Sequence, residues 1–512
     1  MNMESITGNI SGAIWNNGLV WGSLVLGLFF TIRFGAPQVT KVRDMLRYLI
    51  KGEKSDTGTS SFQSFAMALA GRIGTGAIAG VATAIYSGGP GAVFWMWMIG
   101  ILGAASAFNE STLGQVFKEE VHGEYRGGPA FYIKEGLKRN LVIGGKNVGA
   151  RLTWLGVLFA ILAVFSKCIC EGPVQSYNIA DATQKAFGVP MWVTGIVVTA
   201  LLAFIIFGGM RRIATFAQWV VPFMTVGYVV VLVIVLVSNG SQIPAMFGLI
   251  FRNAFGLDPV MGGILGSTIL WGVKRGVYSS EAGLGTGAQA AAAAEVSHPV
   301  KQGLAQAFSV YCDIILAATS TALMILVTGM YNVENPAGGF FTQGLPGMEP
   351  GAGYTQEAVN TVLPGFGPGF VAVALMFFAF TTIVSFGFYA DTNIAFLFKG
   401  SKWFGPAQTI GKLALLGMVL FGSMQKNVTV WNFADIGVGL NVWVNLIGIT
   451  LLSGVTAKMI KDYNRQRRLG LDPVFDPDEV GIHDAGLWKK IVSKKYGHLV
   501  QSNQEILGKE TE

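Results

Sequence analysis

The chain has 512 residues and a formal net charge of +7, and 52% of its residues are hydrophobic whereas 13% are charged. Its mean hydropathy is +0.51, and soluble domains carry about 25% charged residues. This composition excludes an ordinary soluble protein and indicates an integral membrane protein, for which the lipid bilayer is the first partner.

Apolar segments recur along the whole chain. A transmembrane helix needs about 18 or more apolar residues, and we count about eleven such segments. They lie near 15–34, 62–86, 91–115, 152–180, 190–208, 213–237, 260–294 (broken), 303–328, 367–397, 405–424 and 428–456. The sequence therefore predicts an all-α polytopic membrane protein. No Lys or Arg precedes the first segment, so we expect that segment to remain as a helix rather than to be cleaved as a signal peptide.

Lysine and arginine are concentrated in alternate connections between these segments. The richer set contains Lys41, Arg43, Arg47, Lys51, Lys54, Lys118, Arg126, Lys134, Lys138, Arg139, Lys146, Arg151, Arg211, Arg212, Lys301, Lys399 and Lys402. The opposite connections contain Lys185, Arg252 and Lys426. The positive-inside rule then predicts an N-terminus outside the cell and a cytoplasmic tail from Lys458 onward. We interpret this basic tail as an anchor at the anionic inner leaflet, with partner binding as the alternative, and expect no nucleic-acid partner.

Glycine interrupts two of the segments. The second segment contains GRIGTGAIAG (71–80), and the seventh contains LWGVKRGVYSSEAGLGTGAQAAAA (270–293). The interrupted segments are five apart, as in transporters built from two inverted five-helix repeats whose first helices are discontinuous. We therefore predict a five-plus-five inverted repeat with one extra N-terminal helix and two broken helices.

This arrangement divides the chain into three parts. Residues 1–60 hold an extracellular N-terminus, the extra first helix and a cytoplasmic loop, 61–457 form a ten-helix transporter core, and 458–512 form the basic cytoplasmic tail. The long connection 331–364 is rich in Gly and Pro. It could either fold over an external vestibule or remain a flexible loop.

A broken helix has a physical use inside a membrane. The freed backbone groups must be satisfied by protein, water or a solute. Freed N–H groups at a half-helix N-terminus suit a carboxylate, and freed carbonyls at the partner half suit a small cation. A dinucleotide loop is excluded, because GTGAIAG (74–80) has the spacing GxGxxxG and follows no strand. Close helix packing through small residues remains the alternative.

Ionisable groups inside the spans are the second signal, because each is costly in hydrocarbon and faces a cavity or a partner. Lys167 and Glu171 are four residues apart, so a helix would place them on one face as a local pair. Gln175 lies one turn further along and can both donate and accept, which suits a solute carboxylate.

Two further cations, Lys274 and Arg275, are predicted to stand in the second break. They could attract an anionic solute, or they could pair with Glu281, Asp313 or Glu110. The sequence leaves these alternatives open.

Hydroxyl groups occur in the otherwise apolar stretch FAFTTIVSFGF, at Thr381, Thr382 and Ser385. They could cap carbonyls of their own helix, or they could complete the oxygen shell of a sodium ion with carbonyls from the first break. The histidines lie in loops or the tail, without a metal-ligand spacing or a nucleophile arrangement, at His122, His298, His483 and His498. We therefore expect no enzymatic activity.

Four stretches resemble a known family. They are GTGAIAGVATAI (74–85), GGPGAVFWMW (88–97), GPVQSYNIADA (172–182) and VKRGVYSSEAGLGTGAQAAAAAEVSHPVKQG (273–303). Together they resemble the alanine or glycine:cation symporter family, also called the sodium:alanine symporters, over roughly residues 15–460. The resemblance implies the fold of the amino acid–polyamine–organocation superfamily, sodium-coupled uptake of alanine or glycine, and a glutamine-transporting branch. It also agrees with a location in a bacterial or archaeal inner membrane, where we expect a monomer.

The resemblance assigns roles to residues of this chain. The substrate carboxylate would be held by Gly74, Thr75, Gly76 and Gln175. The substrate amino group or side chain would face Gly272, Val273 and Gly276, with Trp271 as a pocket wall. Sodium would be held by Ala70, Ile73, Thr381 and Thr382. One departure is Ala77, where the family often has Asn.

These assignments imply alternating access driven by the sodium gradient. A proton-coupled transporter of the same fold would instead use a carboxylate such as Glu110, Glu171 or Asp313. A non-transporting sensor would bind the solute without flux. The sequence leaves open the side-chain selectivity, the stereoselectivity, the sodium stoichiometry and the oligomeric state.

Overall fold

The computed structural model describes residues 3–50, 58–143, 146–258 and 261–509, so Lys51 and Lys54 lie outside the described residues. Helices dominate the first half of the chain: α1 (Met3–Ile14), α2 (Asn17–Arg33), α3 (Pro37–Thr40), α4 (Val42–Ile50), α5 (Ser61–Arg72), α6 (Val81–Gly88), α7 (Ala92–Val116), α8 (Pro129–Phe131), α9 (Leu137–Asn140), α10 (Trp154–Phe165), α11 (Gly172–Phe187), α12 (Met191–Ile206), α13 (Gly209–Ser238) and α14 (Ile243–Ala254).

Helices also dominate the second half of the chain. They are α15 (Leu265–Ser280), α16 (Thr286–Ala293), α17 (Pro299–Tyr311), α18 (Thr319–Thr328), α19 (Ala352–Val362), α20 (Gly367–Leu397), α21 (Phe404–Gly422), α22 (Asn427–Leu451), α23 (Ser453–Arg468), α24 (Pro477–Val480), α25 (Leu487–Ile491) and α26 (Gly497–Lys509). Short antiparallel hairpins lie in the connections and pair β1 (Glu119–Val121) with β2 (Glu124–Arg126), β3 (Val142–Ile143) with β4 (Lys146–Asn147), and β5 (Asn332–Glu334) with β6 (Phe340–Gln343).

The predicted apolar segments all contain helix. Within the described residues, seven helices are long and apolar enough to cross a membrane, or up to nine if each bent pair forms one span. Helix α12 is apolar but has only 16 residues, and the pair α15 and α16 is interrupted. The protein is therefore a helical, multi-pass membrane protein, and the count of about eleven spans stays a prediction.

The first break lies where the glycine-rich stretch predicts it. Helix α5 begins at a capping box on Ser60 and ends at Arg72, and Ile73 has ψ 82°, outside the helical range. The chain resumes as a π-helical turn over Gly76–Gly80 and continues into α6. The two halves are bent by 48°. Wide π-helical turns are frequent at functional sites.

The second break lies further along the chain than the sequence suggests. Helix α15 is continuous to Ser280, so the placement of Lys274 and Arg275 in the break is wrong. The interruption comes at 281–285, where Gly283 and Gly285 have φ of +82° and +90°. Side chains other than glycine rarely adopt this conformation.

Two glycines of α15 serve close packing instead. A Cβ atom on Gly272 would lie 2.5 Å from the carbonyl oxygen of Ala92, and one on Gly276 would lie 2.3 Å from Ile99 Cγ2. Both contacts are with α7, so these glycines let the two helices approach closely.

The end of the molecule that carries the basic connections is closed by backbone pairing. The N–H of Thr59 donates to the carbonyl of Ala293 at 2.8 Å, and the N–H of Glu295 donates to the carbonyl of Thr59 at 3.2 Å. Thr59 precedes α5 and Ala293 ends α16. The start of the first broken helix and the end of the second are therefore joined directly by main-chain hydrogen bonds.

The tail packs against the same end of the molecule. Trp488 is fully buried, and its Nε1 donates to the carbonyl of Gln115 at 3.0 Å. The N–H of Phe475 donates to the carbonyl of Ser297 at 2.9 Å. Ion pairs join the tail and the basic connections: Lys301 with Asp472, Lys490 with Glu120, Arg467 with Asp44, and Arg139 with Asp484. The tail is therefore packed on the protein, and its anchoring at the inner leaflet stays a prediction.

His298 is buried where the tail packs, so we expect the docking of the tail to depend on pH. Its Nδ1 accepts from the N–H of Val300 at 3.2 Å, and its Nε2 lies 3.3 Å from Asp462 Oδ2. Burial lowers the pKa of His298, and Asp462 offsets this only in part. An exposed His298 in the undocked form regains a pKa near 6.5. The undocked form would therefore bind the proton more readily, so the contribution of His298 to docking is full above about pH 6.5 and falls as the pH decreases below it.

We expect papain to cleave the tail of the purified protein faster at pH 5.5 than at pH 7.5. Protonation of the single His298 can raise the cleavage rate by at most about tenfold for each pH unit below 6.5, and pH 5.5 is one unit below. His298→Asn keeps a helix N-cap but removes the titration, so its ratio of the two cleavage rates should be lower. The same comparison cancels the pH dependence of papain itself. Equal rate ratios in the two proteins would contradict this role of His298.

The long connection 331–364 is folded and covers the opposite end. It contains the hairpin of β5 and β6 and the helix α19, on which Tyr354 and Val359 are buried. Gln356 Nε2 donates to the carbonyl of Ala182 at 3.1 Å, which fastens α19 to α11. A cavity of about 380 Å³ remains under this connection, lined in part by Tyr177, Asp181 and Glu349. The vestibule alternative is therefore the one that the structure favours.

Candidate functional site

The first break and Gln175 meet in the interior of the helix bundle. The N–H of Thr75 donates to Gln175 Oε1 at 3.0 Å, and Gln175 Nε2 donates to the hydroxyl of Tyr278 at 3.2 Å. Thr75 is completely buried, and Gln175 nearly so. The amide oxygen of Gln175 thus accepts a hydrogen bond from a freed N–H group of the half-helix. A carboxylate oxygen could accept from the same N–H group.

Gly74 and Gly76 keep this region open for close approach. A Cβ atom on Gly74 would lie 2.5 Å from Thr382 Oγ1 and 3.0 Å from Gln175 Oε1. One on Gly76 would lie 2.8 Å from the Cα atom of Ser279. Gly74 therefore separates the amide of Gln175 from the hydroxyl of Thr382, and Gly76 allows α15 to touch the break.

The hydroxyl groups of α20 reach the first break to different extents. Thr382 Oγ1 donates to the carbonyl of Ala70 at 2.8 Å and also lies 3.0 Å from that of Phe378, in its own helix. Thr381 Oγ1 donates to the carbonyl of Phe378 alone, at 2.9 Å. The structure thus brings Thr382 to the end of α5, whereas Thr381 caps its own helix.

From the sequence, Ser385 had the same two alternatives as Thr381 and Thr382, although the family resemblance did not include it among the sodium ligands. Its hydroxyl lies 3.2 Å from the carbonyl of Met67, one turn before Ala70. Ile73 is completely buried at the end of α5, next to these oxygens in sequence. Carbonyl and hydroxyl oxygens therefore line one side of the break, and these are the ligands that hard cations prefer.

The residues assigned on α15 are not brought to Gln175. Trp271 lies beside Gly88, whose added Cβ would be 3.2 Å from Trp271 Cβ, at the far end of α6. Val273 is buried, and Gly272 and Gly276 face α7. Their roles in substrate binding stay predictions. The residue of α15 that does reach Gln175 is Tyr278, which sequence reasoning missed although it directly precedes SSEAGLG, the stretch with the second break.

A buried ion-pair network lies between the two breaks. Lys167 Nζ is 2.7 Å from Glu171 Oε2, so the predicted local pair is present, and it is 3.2 Å from Glu281 Oε1. The hydroxyl of Thr286 donates to Glu281 Oε2 at 2.8 Å. Lys167 therefore links the helix of Gln175 to the second break.

The second broken helix has its own carboxylate cap. Glu110 Oε2 accepts from the N–H of Gly285 at 3.1 Å and from Asn445 Nδ2 at 2.8 Å. The N-terminus of α16 follows directly, and a negative charge is favourable there. The carboxylate of Glu110 thus accepts from the freed N–H group at the second break, where a solute carboxylate could otherwise bind.

Lys274 and Arg275 have a partner that sequence reasoning did not name. Lys274 Nζ is 2.7 Å from Asp435 Oδ2, and Arg275 Nη1 is 2.8 Å from Asp435 Oδ1. The guanidinium also lies 4.2 Å from the ring centroid of Trp431. Among the described residues, Glu281, Asp313 and Glu110 are not their ion-pair partners, so these two cations are committed to α22.

The structure is that of a multi-pass membrane protein in which a broken helix meets polar side chains of neighbouring helices, an arrangement typical of membrane transporters. The model of the sodium:alanine symporter family matches residues 1–477, and the chain belongs to this family.

Curated relatives cover nearly the whole chain. The putative sodium/proton-dependent alanine carrier protein YrbD of Bacillus subtilis (strain 168) is 48% identical over 95% of this chain and 98% of its own length. The probable sodium/glutamine symporter GlnT of the same organism is 40% identical, over 94% of this chain and 95% of its own length. The sodium/alanine symporter AgcS of Methanococcus maripaludis is 33% identical, over 91% and 99%.

Proposed function

We propose that this protein imports small neutral amino acids, alanine and glycine, together with sodium by alternating access across a bacterial cell membrane, and that it has no enzymatic activity. The observation that carries the proposal is that the first break presents a hydrogen-bond donor and a carbonyl acceptor on opposite sides of one glycine. An N–H group of Thr75 and a carbonyl of Ala70 lie on the two sides of Gly74, each already engaged by one side chain.

The substrate carboxylate is proposed to bind where Gln175 Oε1 now lies. An α-amino acid carries a carboxylate that is a stronger acceptor than an amide oxygen. Rotation of the Gln175 amide would present its NH₂ group to the same carboxylate and leave the N–H groups near Gly74, Thr75 and Gly76 as the other donors. We propose Tyr278 as a wall of this pocket. It is a stronger candidate than the four residues that the family resemblance assigns, Trp271, Gly272, Val273 and Gly276.

Sodium is proposed to bind between the end of α5 and α20. The ion would be held by the carbonyls of Ala70 and Ile73 and by Thr382 Oγ1, whose hydrogen now points to the Ala70 carbonyl. The family resemblance also assigns Thr381 to this set, but its hydroxyl donates to the carbonyl of Phe378 in its own helix, so we propose a minor role for it. A positive ion here also complements the negative end of the half-helix dipole.

The remaining expectations complete the proposal. A monomer with the N-terminus outside would contain the core 61–457 as a five-plus-five inverted repeat, preceded by one extra helix and followed by the cytoplasmic tail. The basic connections that the tail contacts would then face the cytoplasm, in agreement with the positive-inside rule.

The first experiment is uptake of labelled alanine into proteoliposomes, with and without an inward sodium gradient, in the presence of excess glycine or glutamine. Sodium-dependent uptake that glycine blocks is the expected result. Uptake that only glutamine blocks would instead place this chain with relatives such as the probable sodium/glutamine symporter. In that case Ala77→Asn is the first variant to compare. Uptake without sodium dependence would overturn the proposal.

The sodium site gives a matched pair of variants. Thr382→Val removes a hydroxyl that reaches Ala70, whereas Thr381→Val removes one that contacts only its own helix among the described residues. We expect Thr382→Val to raise the sodium concentration for half-maximal uptake at least tenfold, or about 1.4 kcal/mol, and Thr381→Val to change it far less. Equal effects of the two variants would contradict the assignment of Thr382.

A further inference from the structure

Asp313 is a buried carboxylate that the proposed sodium and substrate sites do not use. It lies in a π-helical turn over Cys312–Ala318, which contacts the π-helical turn of the first break. Its Oδ1 accepts from Ser279 Oγ at 3.0 Å. Its Oδ2 is buried without a hydrogen-bond partner in the described part of the chain. The residue is completely inaccessible to solvent.

Asp313 forms no ion pair with the charged residues around it in the described part of the chain. Its neighbours with charge are Arg72 and Glu281. Arg72 is directed elsewhere, since its Nε donates to the carbonyl of Ser280 at 2.6 Å and its Nη1 to that of Gln306 at 3.1 Å. Glu281 is paired with Lys167. Asp313 therefore has a hydroxyl as its partner, and a buried, unpaired carboxylate is strongly unfavourable.

The wider cluster around Asp313 contains more carboxylates than cations. The carboxylates near the second break are Glu110, Glu171, Glu281 and Asp313, and the cations among the described residues of this cluster are Arg72 and Lys167. The acidic groups therefore exceed the basic ones before any ligand binds. A small cation at the free oxygen of Asp313 would reduce this excess.

We infer that Asp313, together with Ser279, binds a second co-transported monovalent cation, a sodium ion or a proton, separate from the sodium at Ala70 and Thr382. The inference rests on the proposed symport. The backbone of Ser279 lies against Gly76, where an added Cβ would be 2.8 Å from Ser279 Cα. A cation bound at Asp313 would therefore alter the position of Ser279, which packs against the first break at Gly76. This contact would couple the second cation to substrate binding.

The number of positive charges moved with each alanine tests the inference. Alanine is a neutral zwitterion, so the charge per substrate equals the number of co-transported cations. In proteoliposomes, the membrane potential at which net alanine flux reverses gives this number. We expect about two charges per alanine for the unaltered protein and about one for Asp313→Asn. The reversal potential is a thermodynamic quantity, so a slowly transporting variant still reports it.

Controls and outcomes separate this inference from the proposed function. Asp478→Asn changes an exposed carboxylate of the tail and should retain two charges. A sodium flux of two per alanine identifies the second cation as sodium, and one sodium with acidification of the lumen identifies it as a proton. A ratio of one in the unaltered protein, or of two in Asp313→Asn, overturns the inference. Absence of sodium-driven uptake in the unaltered protein overturns the proposed function instead.

A second variant covers the case in which Asp313→Asn does not fold. Ser279→Ala keeps the carboxylate and removes its hydroxyl partner. We expect it to keep two charges per alanine and to shift by at least threefold the concentration of sodium, or of protons, that gives half-maximal uptake. An unchanged cation dependence in this variant overturns the inference.

Discussion

Gly74→Ala should reduce sodium-driven alanine uptake at least 100-fold, which corresponds to about 2.7 kcal/mol. The added methyl group would lie 2.5 Å from Thr382 Oγ1 and 3.0 Å from Gln175 Oε1. It would therefore fill the space between the proposed carboxylate and sodium sites and block both. The measurement is the initial rate of alanine uptake, normalised to the amount of correctly inserted protein.

Gly417→Ala provides the matched control for this variant. Gly417 lies inside α21, and nothing is found within 4 Å of the Cβ atom that alanine would add. Alanine is also the better helix former, so uptake should stay normal and thermal stability should not fall. Normal uptake by Gly74→Ala would show that neither proposed site lies beside this glycine.

Asp435→Asn should lower the free energy of unfolding by about 3 to 5 kcal/mol, because it leaves two buried cations without their counter-ion. Lys274 and Arg275 both contact Asp435, and the side chains of Arg275 and Asp435 are each only 2% exposed. The measurement is denaturant-induced unfolding in detergent, or the thermal midpoint where unfolding is irreversible.

Glu479→Gln is the corresponding control on the surface. Glu479 pairs with Arg465 at 2.6 Å, but both side chains are more than half exposed. Exposed pairs of this kind contribute about 0 to 1 kcal/mol, so this variant should unfold close to the unaltered protein. Equal stabilities of Asp435→Asn and Glu479→Gln would mean that α15 and α22 are held together by other contacts.

The first break could be located from the sequence, whereas the second could not be placed correctly. Glycines at 74 and 76 lie in the interruption itself. In α15, Gly272 and Gly276 carry the same local signature but serve contact with α7, which sequence spacing cannot distinguish from a break. The better signal was the cluster EAGLG (281–285), because closely spaced glycines after a polar residue allow the positive φ angles seen there.

Charge pairs were predictable only when helix geometry fixed them. Lys167 and Glu171 are four residues apart, so they share a helix face whatever the rest of the fold does. Arg275 and Asp435 are 160 residues apart and meet only because α15 lies near α22. The docking of the tail was missed for a similar reason, since few apolar residues, Trp488 and Phe475 among them, fix a segment that is otherwise polar.

The backbone pairing of Thr59 with the segment 293–295 connects α5 of the first broken helix to α16 of the second. Hydrogen bonds between main-chain groups do not require a particular side chain, so substitutions other than proline at Thr59 and Glu295 leave both N–H donors available. In the proposed transport cycle, α5 and α16 would then move together as one rigid body relative to the other helices, α20 among them. Spin labels on either side of this joint should keep a constant separation during transport, while the distance from either label to α20 changes.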